Sequence, residues 1–106
     1  MSDILAQIAE VLDERKRADA VQSYTAGLFA AGTGAILKKI GEEATELVIA
    51  GQGGRKNEIV HETADLWFHT LVLLAHCDLH PAAVLDELKD RFGRSGLTEK
   101  ANRNKQ

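Results

Sequence analysis

The fold is decided by residues 33–77, which read TGAILKKIGEEATELVIAGQGGRKNEIVHETADLWFHTLVLLAHC. On both sides of the glycine-rich stretch 51–56, apolar residues recur every three or four positions, which is typical of amphipathic helices. The glycines indicate a helix end and a tight connection. The sequence therefore predicts an antiparallel hairpin of two long helices, the first over residues 33–51 and the second over residues 57–77, capped by Asn57.

Each helix of this hairpin carries a pair of carboxylates at a spacing of three residues. Glu43 and Glu46 are on the first helix, and Glu62 and Asp65 are on the second. Residues three apart share a helix face, and at about 1.5 Å per residue the two pairs reach comparable heights above the connection. Four carboxylates brought together repel one another unless a cation binds them. All-oxygen ligands favour Mg²⁺ or Mn²⁺ over zinc, so the sequence predicts a site for one of these ions.

The second pair lies in a narrow polar stripe. Glu62, Asp65, His69 and His76 fall within about 60° on a helical wheel, between apolar flanks. A solvated face would be wider and would contain lysine or arginine, so the stripe is expected to be enclosed. We expect His69 to lie beside the metal ligands and not to bind metal itself. For the first pair alone, an exposed charged face stays an alternative.

Two lysines precede the first acidic pair by about one helical turn. Mg²⁺ commonly binds through a few carboxylates together with substrate phosphates, which indicates a polyphosphate substrate. Lys38 and Lys39 could then neutralise its oxygens. Solvated lysines on an exposed helix face are the alternative.

The remaining residues predict shorter helical segments. A first helix is expected over residues 3–18, a short turn between Thr25 and Gly32, and a last main helix over residues 81–92. The whole chain, residues 1–106, is predicted to be one all-α domain, an antiparallel bundle of four main helices. Its small size suggests that dimerisation helps to complete the core.

Net charge and hydropathy argue against a nucleic-acid-binding protein and against a membrane protein. The net charge of −3 argues against a protein that binds nucleic acid through a broad basic surface. The N-terminal residues lack the pattern of a signal peptide, and no apolar run approaches the roughly 20 residues needed to span a bilayer. A cytoplasmic protein without a membrane segment is expected. Cys77, the only cysteine, lies in an apolar run and is predicted to be a buried thiol.

Four segments resemble those of phosphoribosyl-ATP pyrophosphohydrolases, enzymes of histidine biosynthesis in the all-α MazG-like superfamily. They are SYT at 23–25, KKIGEEATE at 38–46, ETADL at 62–66 and RSGLTEKANR at 94–103. The resemblance implies hydrolysis of the α–β phosphoanhydride of N1-(5-phosphoribosyl)-ATP to phosphoribosyl-AMP and pyrophosphate. It also implies a helical homodimer. The cyclohydrolase of the following step would be a separate chain.

The resemblance also implies roles for individual residues. Glu43, Glu46, Glu62 and Asp65 would be the Mg²⁺ ligands. Glu42 would orient or deprotonate the attacking water, a task that Glu43 or Glu46 could share. Lys39 would contact phosphate. The extra ribosyl phosphate would be held by basic residues of the tail, for which solvation is the alternative: Arg94, Lys100 and Arg103.

Two other functions fit the same residues. A house-cleaning pyrophosphohydrolase acting on ordinary or damaged dNTPs would use the same carboxylates but would give the basic tail no role. A non-catalytic helical dimer or adaptor would carry the acidic residues only as a surface. Metal binding and substrate preference distinguish these alternatives.

Overall fold

The structure, a computed structural model, describes residues 3–21 and 23–93. The described part contains helices and connections without strands, which confirms the all-α prediction for these residues. A segment predicted as a short turn is instead an eight-residue helix, so the described residues form five helices where four main ones were expected. They are α1 (Ile4–Arg15), α2 (Tyr24–Ala31), α3 (Thr33–Gly53), α4 (Lys56–His76) and α5 (Pro81–Phe92).

The start of α2 differs from the prediction because the capping residue is Ser23 and not Thr25. The Ser23 hydroxyl accepts a hydrogen bond from the Ala26 backbone N–H at 3.2 Å. This contact satisfies a backbone donor in the first turn, and helix formation can therefore begin at Tyr24. At the other end Gly32 has φ 95°, a conformation that favours glycine, and it separates α2 from α3 by a single residue.

The connection between α3 and α4 is shorter than predicted. Helix α3 continues past Gly51, and the residue that leaves the helical conformation is Gly54, with φ 72°. Helix α4 then begins one residue before Asn57, with Arg55 in the N-cap position. Two residues therefore connect two helices of 21 residues each.

Contacts along the hairpin show that α3 and α4 are antiparallel. Thr33 Oγ1 at the start of α3 lies 3.0 Å from His76 Nε2 at the end of α4. Near the connection, carboxylates of Glu46 and Glu62 lie within 4.8 Å of each other. The predicted hairpin is present, and it brings the two acidic segments to the same height.

The core forms where α1 and α2 pack against this hairpin. Ile36 of α3 and Val72 of α4 are completely buried, and the other members of the buried cluster come from α1, α2 and α4. Burial of these apolar side chains is the main stabilising contribution that holds α1 and α2 to the hairpin. The buried cluster comprises Leu12, Leu28, Ile36, Leu71 and Val72.

The turn after α4 corrects the prediction for Cys77, which is exposed. Cys77 is the C-cap of α4 and lies just beyond the apolar run, where the chain leaves the core. The next residue, Asp78, has φ 59°, a left-handed conformation. Lys16 connects this turn to α1, because its ammonium group donates hydrogen bonds to the Asp78 carboxylate and to the Ala75 carbonyl, both at 2.8 Å.

We predict a pH-dependent stability difference between the wild type and Asp78→Asn. The hydrogen bond from Lys16, followed by its positive charge, lowers the pKa of Asp78 below its usual value. A lowered carboxyl pKa stabilises the folded state fully above the unfolded pKa, near pH 4, and this contribution disappears as pH falls through the folded pKa. The melting temperature of Asp78→Asn should therefore be lower than that of the wild type at pH 6, and the two should converge in strong acid. Asparagine tolerates left-handed backbone, so strain does not confound the comparison.

A matched pair of variants identifies the cause of this effect. Lys16→Met removes the same ion pair from the other side and should abolish most of the response to Asp78→Asn. If the two melting temperatures differ equally at pH 6 and pH 2, the Lys16 ion pair is not the source.

Among the described residues, no single helix is both long and apolar enough to cross a membrane. Helices α4 and α5 meet the length and composition criteria only as a pair, bent by 114° at their connection.

Candidate metal centre

The hairpin brings three of the four predicted metal ligands into one cluster. Carboxylate oxygens from Glu43, Glu46 and Glu62 lie within 4.8 Å of one another. Glu43 is buried, Glu62 is half-buried and Glu46 is exposed, so the cluster extends from the interior to the surface. This arrangement is open to a ligand on the Glu46 side.

Two oxygens of this cluster support cation binding. Glu43 Oε2 and Glu62 Oε2 are both buried and have no hydrogen-bond partner among the residues that the structure describes. A buried carboxylate oxygen without a partner destabilises a protein unless a cation compensates it. The donors are all carboxylate oxygens, which fit the preference of Mg²⁺ and Mn²⁺.

Asp65, the fourth predicted ligand, lies in a second set that shares Glu62. This set comprises His61, Glu62 and Asp65, and their potential ligand atoms also lie within 4.8 Å of one another. His61 Nε2 is 3.4 Å from the Asp65 carboxylate. His61 is not among the site residues predicted from the sequence. Its i, i+4 spacing to Asp65 is the signal that could have identified it.

Lys39, the predicted phosphate contact, lies beside the cluster. Its ammonium nitrogen is 3.6 Å from carboxylate oxygens of both Glu42 and Glu43. The pKa of Lys39 is raised, chiefly by the electrostatic effect of Tyr24; burial opposes this, and Glu42 and Glu43 also raise it. The ammonium group therefore stays charged at neutral pH and can contact an anionic substrate.

His69 is buried against the cluster and makes contacts through both ring nitrogens. Its Nδ1 lies 2.9 Å from the Asp65 backbone oxygen and 4.0 Å from Glu43 Oε1. Its Nε2 lies 3.1 Å from the Tyr24 hydroxyl. The carbonyl oxygen only accepts, so Nδ1 carries a hydrogen and donates. His69 therefore lies beside two of the predicted ligands, Glu43 and Asp65.

The other predicted site residues lie further out. Glu42 is exposed and contacts Lys39, and Lys38 is exposed on α3. The three basic residues predicted to hold the ribosyl phosphate lie outside the described residues: Arg94, Lys100 and Arg103.

Comparison with known proteins identifies the family. Residues 5–92 match the family model described as phosphoribosyl-ATP pyrophosphohydrolase. A protein of Geobacter sulfurreducens named phosphoribosyl-ATP pyrophosphatase is 61% identical over 102 residues, covering 96% of this chain and 94% of that protein. One of Geotalea daltonii with the same name is 57% identical over 103 residues, 97% of each chain. A third, of Geobacter metallireducens, is 58% identical over 104 residues, 98% of this chain and 95% of its own length.

The family match spans all five helices from residue 5 onward, and the similarity to the named relatives extends over nearly the whole chain. It includes every residue of the acidic cluster and the second set that shares Glu62. The chain belongs to the phosphoribosyl-ATP pyrophosphohydrolase family.

Proposed function

We propose that this chain hydrolyses N1-(5-phosphoribosyl)-ATP at the α–β phosphoanhydride, giving phosphoribosyl-AMP and pyrophosphate, in the second step of histidine biosynthesis. The observation that carries the proposal is the carboxylate cluster in which Glu43 and Glu62 each have a buried oxygen without a hydrogen-bond partner among the described residues. Family membership supplies the substrate, and the cluster supplies a means of binding its triphosphate through a cation.

The reaction adds water to one phosphorus and breaks the bridging P–O bond, so that pyrophosphate leaves. Glu43, Glu46 and Glu62 would hold Mg²⁺, with Mn²⁺ as a substitute, and Asp65 would join them through the set that shares Glu62. When bound, the ion supplies positive charge that draws electron density from the phosphoanhydride and makes the attacking water more acidic.

The chain's own groups complete the site. Lys39 places a fixed positive charge next to the cluster, where it can bind a non-bridging phosphate oxygen. Glu42 is exposed, lies 3.6 Å from the Lys39 ammonium, and could orient the water and accept its proton. Arg94, Lys100 and Arg103 remain our candidates for binding the ribosyl phosphate.

Substrate preference tests the proposal. Pyrophosphate release should be compared for phosphoribosyl-ATP and for a panel of dNTPs, each with Mg²⁺. We expect kcat/KM for phosphoribosyl-ATP to exceed that for every dNTP. Equal or faster turnover of dNTPs would favour a house-cleaning enzyme and overturn the proposed substrate. Lack of turnover on every nucleotide, together with unchanged melting temperature in Mg²⁺ or Mn²⁺, would favour a non-catalytic protein.

We also propose that the chain forms a homodimer in which a second copy covers an apolar groove between α4 and α5. The groove has a volume of about 510 Å³, and its walls are almost entirely apolar. Trp67, on its rim, is 60% exposed, and Leu88 is 54% exposed. Exposed apolar surface of this kind is unfavourable in water, and a second copy would bury it. The helical bundle would then be completed by the partner.

Trp67→Glu is expected to convert the dimer to monomers. Interface residues of this type commonly contribute about 2 kcal/mol or more, so the dimer Kd should rise at least about thirtyfold. Sedimentation velocity over a range of protein concentrations measures this change. Val21→Glu is the matched control, because Val21 is 92% exposed and lies outside the groove. Equal effects of the two substitutions, or a monomeric wild type, would contradict the proposal.

A cytoplasmic location and a functional link to a separate phosphoribosyl-AMP cyclohydrolase stay predictions from the sequence. The link to the cyclohydrolase follows from the proposed pathway step, because that enzyme consumes the product of this reaction.

A further inference from the structure

Tyr24 reaches the candidate metal centre from a helix that contributes none of the carboxylates. It is the first residue of α2, and its hydroxyl lies 3.1 Å from His69 Nε2. Both His69 and Lys39 approach the same atom, Glu43 Oε1, at 4.0 Å and 3.6 Å. Tyr24 therefore contacts the histidine that lies beside the Glu43 carboxylate.

The hydrogen bonds around His69 have a defined direction. Nδ1 donates to the Asp65 carbonyl, and in the neutral ring Nε2 then accepts from the Tyr24 hydroxyl. The ring also makes edge-to-face contacts with Tyr24 and Phe68 at centroid distances of 6.1 Å and 5.3 Å. These contacts fix the ring plane, with its Nδ1 edge toward Glu43.

This arrangement determines which oxygen of Glu43 is available. Oε1 faces Lys39 and His69, whereas the buried Oε2 has no hydrogen-bond partner within residues 3–21 and 23–93. We infer that Tyr24 is a positioning residue, which acts through His69 to hold Glu43 so that Oε2 faces the bound cation. The inference rests on the proposed function, since it assumes that the cluster binds a divalent ion.

The test compares Mn²⁺ binding, measured by calorimetry without substrate, in the wild type and in Tyr24→Phe. Phenylalanine keeps the ring and its edge-to-face contact but removes the hydroxyl. Groups that orient metal ligands commonly contribute 10- to 100-fold in affinity, and we expect a loss of about tenfold. In turnover assays, kcat of Tyr24→Phe should be low at limiting Mg²⁺ and should recover at high Mg²⁺. A role only in folding would not produce this recovery.

Thr33→Val is the matched control. It removes a hydroxyl that contacts another α4 histidine, His76, at 3.0 Å, about two helical turns from His69. Its Mn²⁺ affinity should equal that of the wild type. Wild-type affinity in Tyr24→Phe, or an equal loss in Thr33→Val, would overturn the positioning role and leave the proposed function intact. A wild-type protein that binds no Mn²⁺ would overturn both.

Discussion

Glu62→Gln should lose at least about a hundredfold in turnover of phosphoribosyl-ATP while its metal-free form melts at the same temperature as the wild type or higher. Changes to groups that only orient metal ligands lower metal affinity or activity by up to about a hundredfold, so removing the charge of a ligand should lower turnover at least as much. The stability gain arises because the substitution removes one of three neighbouring charges and a buried, unpartnered anionic oxygen. The amide of glutamine can also donate a hydrogen bond to a neighbouring carboxylate.

Thermal melts without Mg²⁺ measure the predicted melting temperature of the metal-free form, and melts with Mg²⁺ measure how much the ion stabilises each protein. A ligand at one hundred times its Kd stabilises the folded state by about 2.7 kcal/mol, so the wild type should melt at a higher temperature in Mg²⁺. Glu62→Gln should lose most of this increase. Glu87→Gln is the control, because Glu87 is exposed on α5 and pairs with Arg91 at 3.1 Å, outside the cluster. Wild-type turnover in Glu62→Gln would exclude this carboxylate as a ligand.

Ile36→Ala should lower the free energy of unfolding by about 2–5 kcal/mol, a large part of the roughly 5–15 kcal/mol typical of a folded domain. Ile36 is completely buried, and it belongs to the cluster that joins α3 to α1, α2 and α4. Truncation removes apolar contacts and leaves a cavity that the surrounding helices cannot fully close.

A series of substitutions, unfolded in urea, tests whether burial of Ile36 causes this loss of stability. Ile36→Val should cost about 0.5–1.5 kcal/mol, and Leu37→Ala, at a neighbouring residue that is 50% exposed, should cost less than Ile36→Ala. The measurement is the urea midpoint at fixed protein concentration. A loss below about 1 kcal/mol in Ile36→Ala would show that the core rearranges around the missing side chain.

The hairpin and its acidic cluster could be predicted because both depend on local spacing. The apolar period of residues 33–77 indicates two helices, and the glycines indicate the connection between them. Once the helices are antiparallel, the positions of Glu43 and Glu62 bring their carboxylates to one height. These are consequences of helix geometry and require no knowledge of the rest of the fold.

The contacts that the sequence did not indicate join helices that are distant in the chain. The hydrogen bond between Tyr24 and His69 depends on how α2 packs against α4. The spacing of apolar residues within either helix does not indicate this packing. The exposure of Cys77 depends on where α4 ends and on the turn at Asp78. The N-cap of α2 is also not determined by the sequence alone, because Ser23 and Thr25 are both residue types that cap helices.

The two-residue connection between α3 and α4 also has a consequence for folding kinetics. Closing so short a loop costs little chain entropy, whereas docking α1 requires contacts such as Lys16 to Asp78 across most of the described chain. The helical hairpin is therefore expected to associate before α1 docks. The carboxylates of Glu43, Glu46 and Glu62 would meet at this early stage, so their mutual repulsion would oppose the first step of folding, and salt that screens it should accelerate folding.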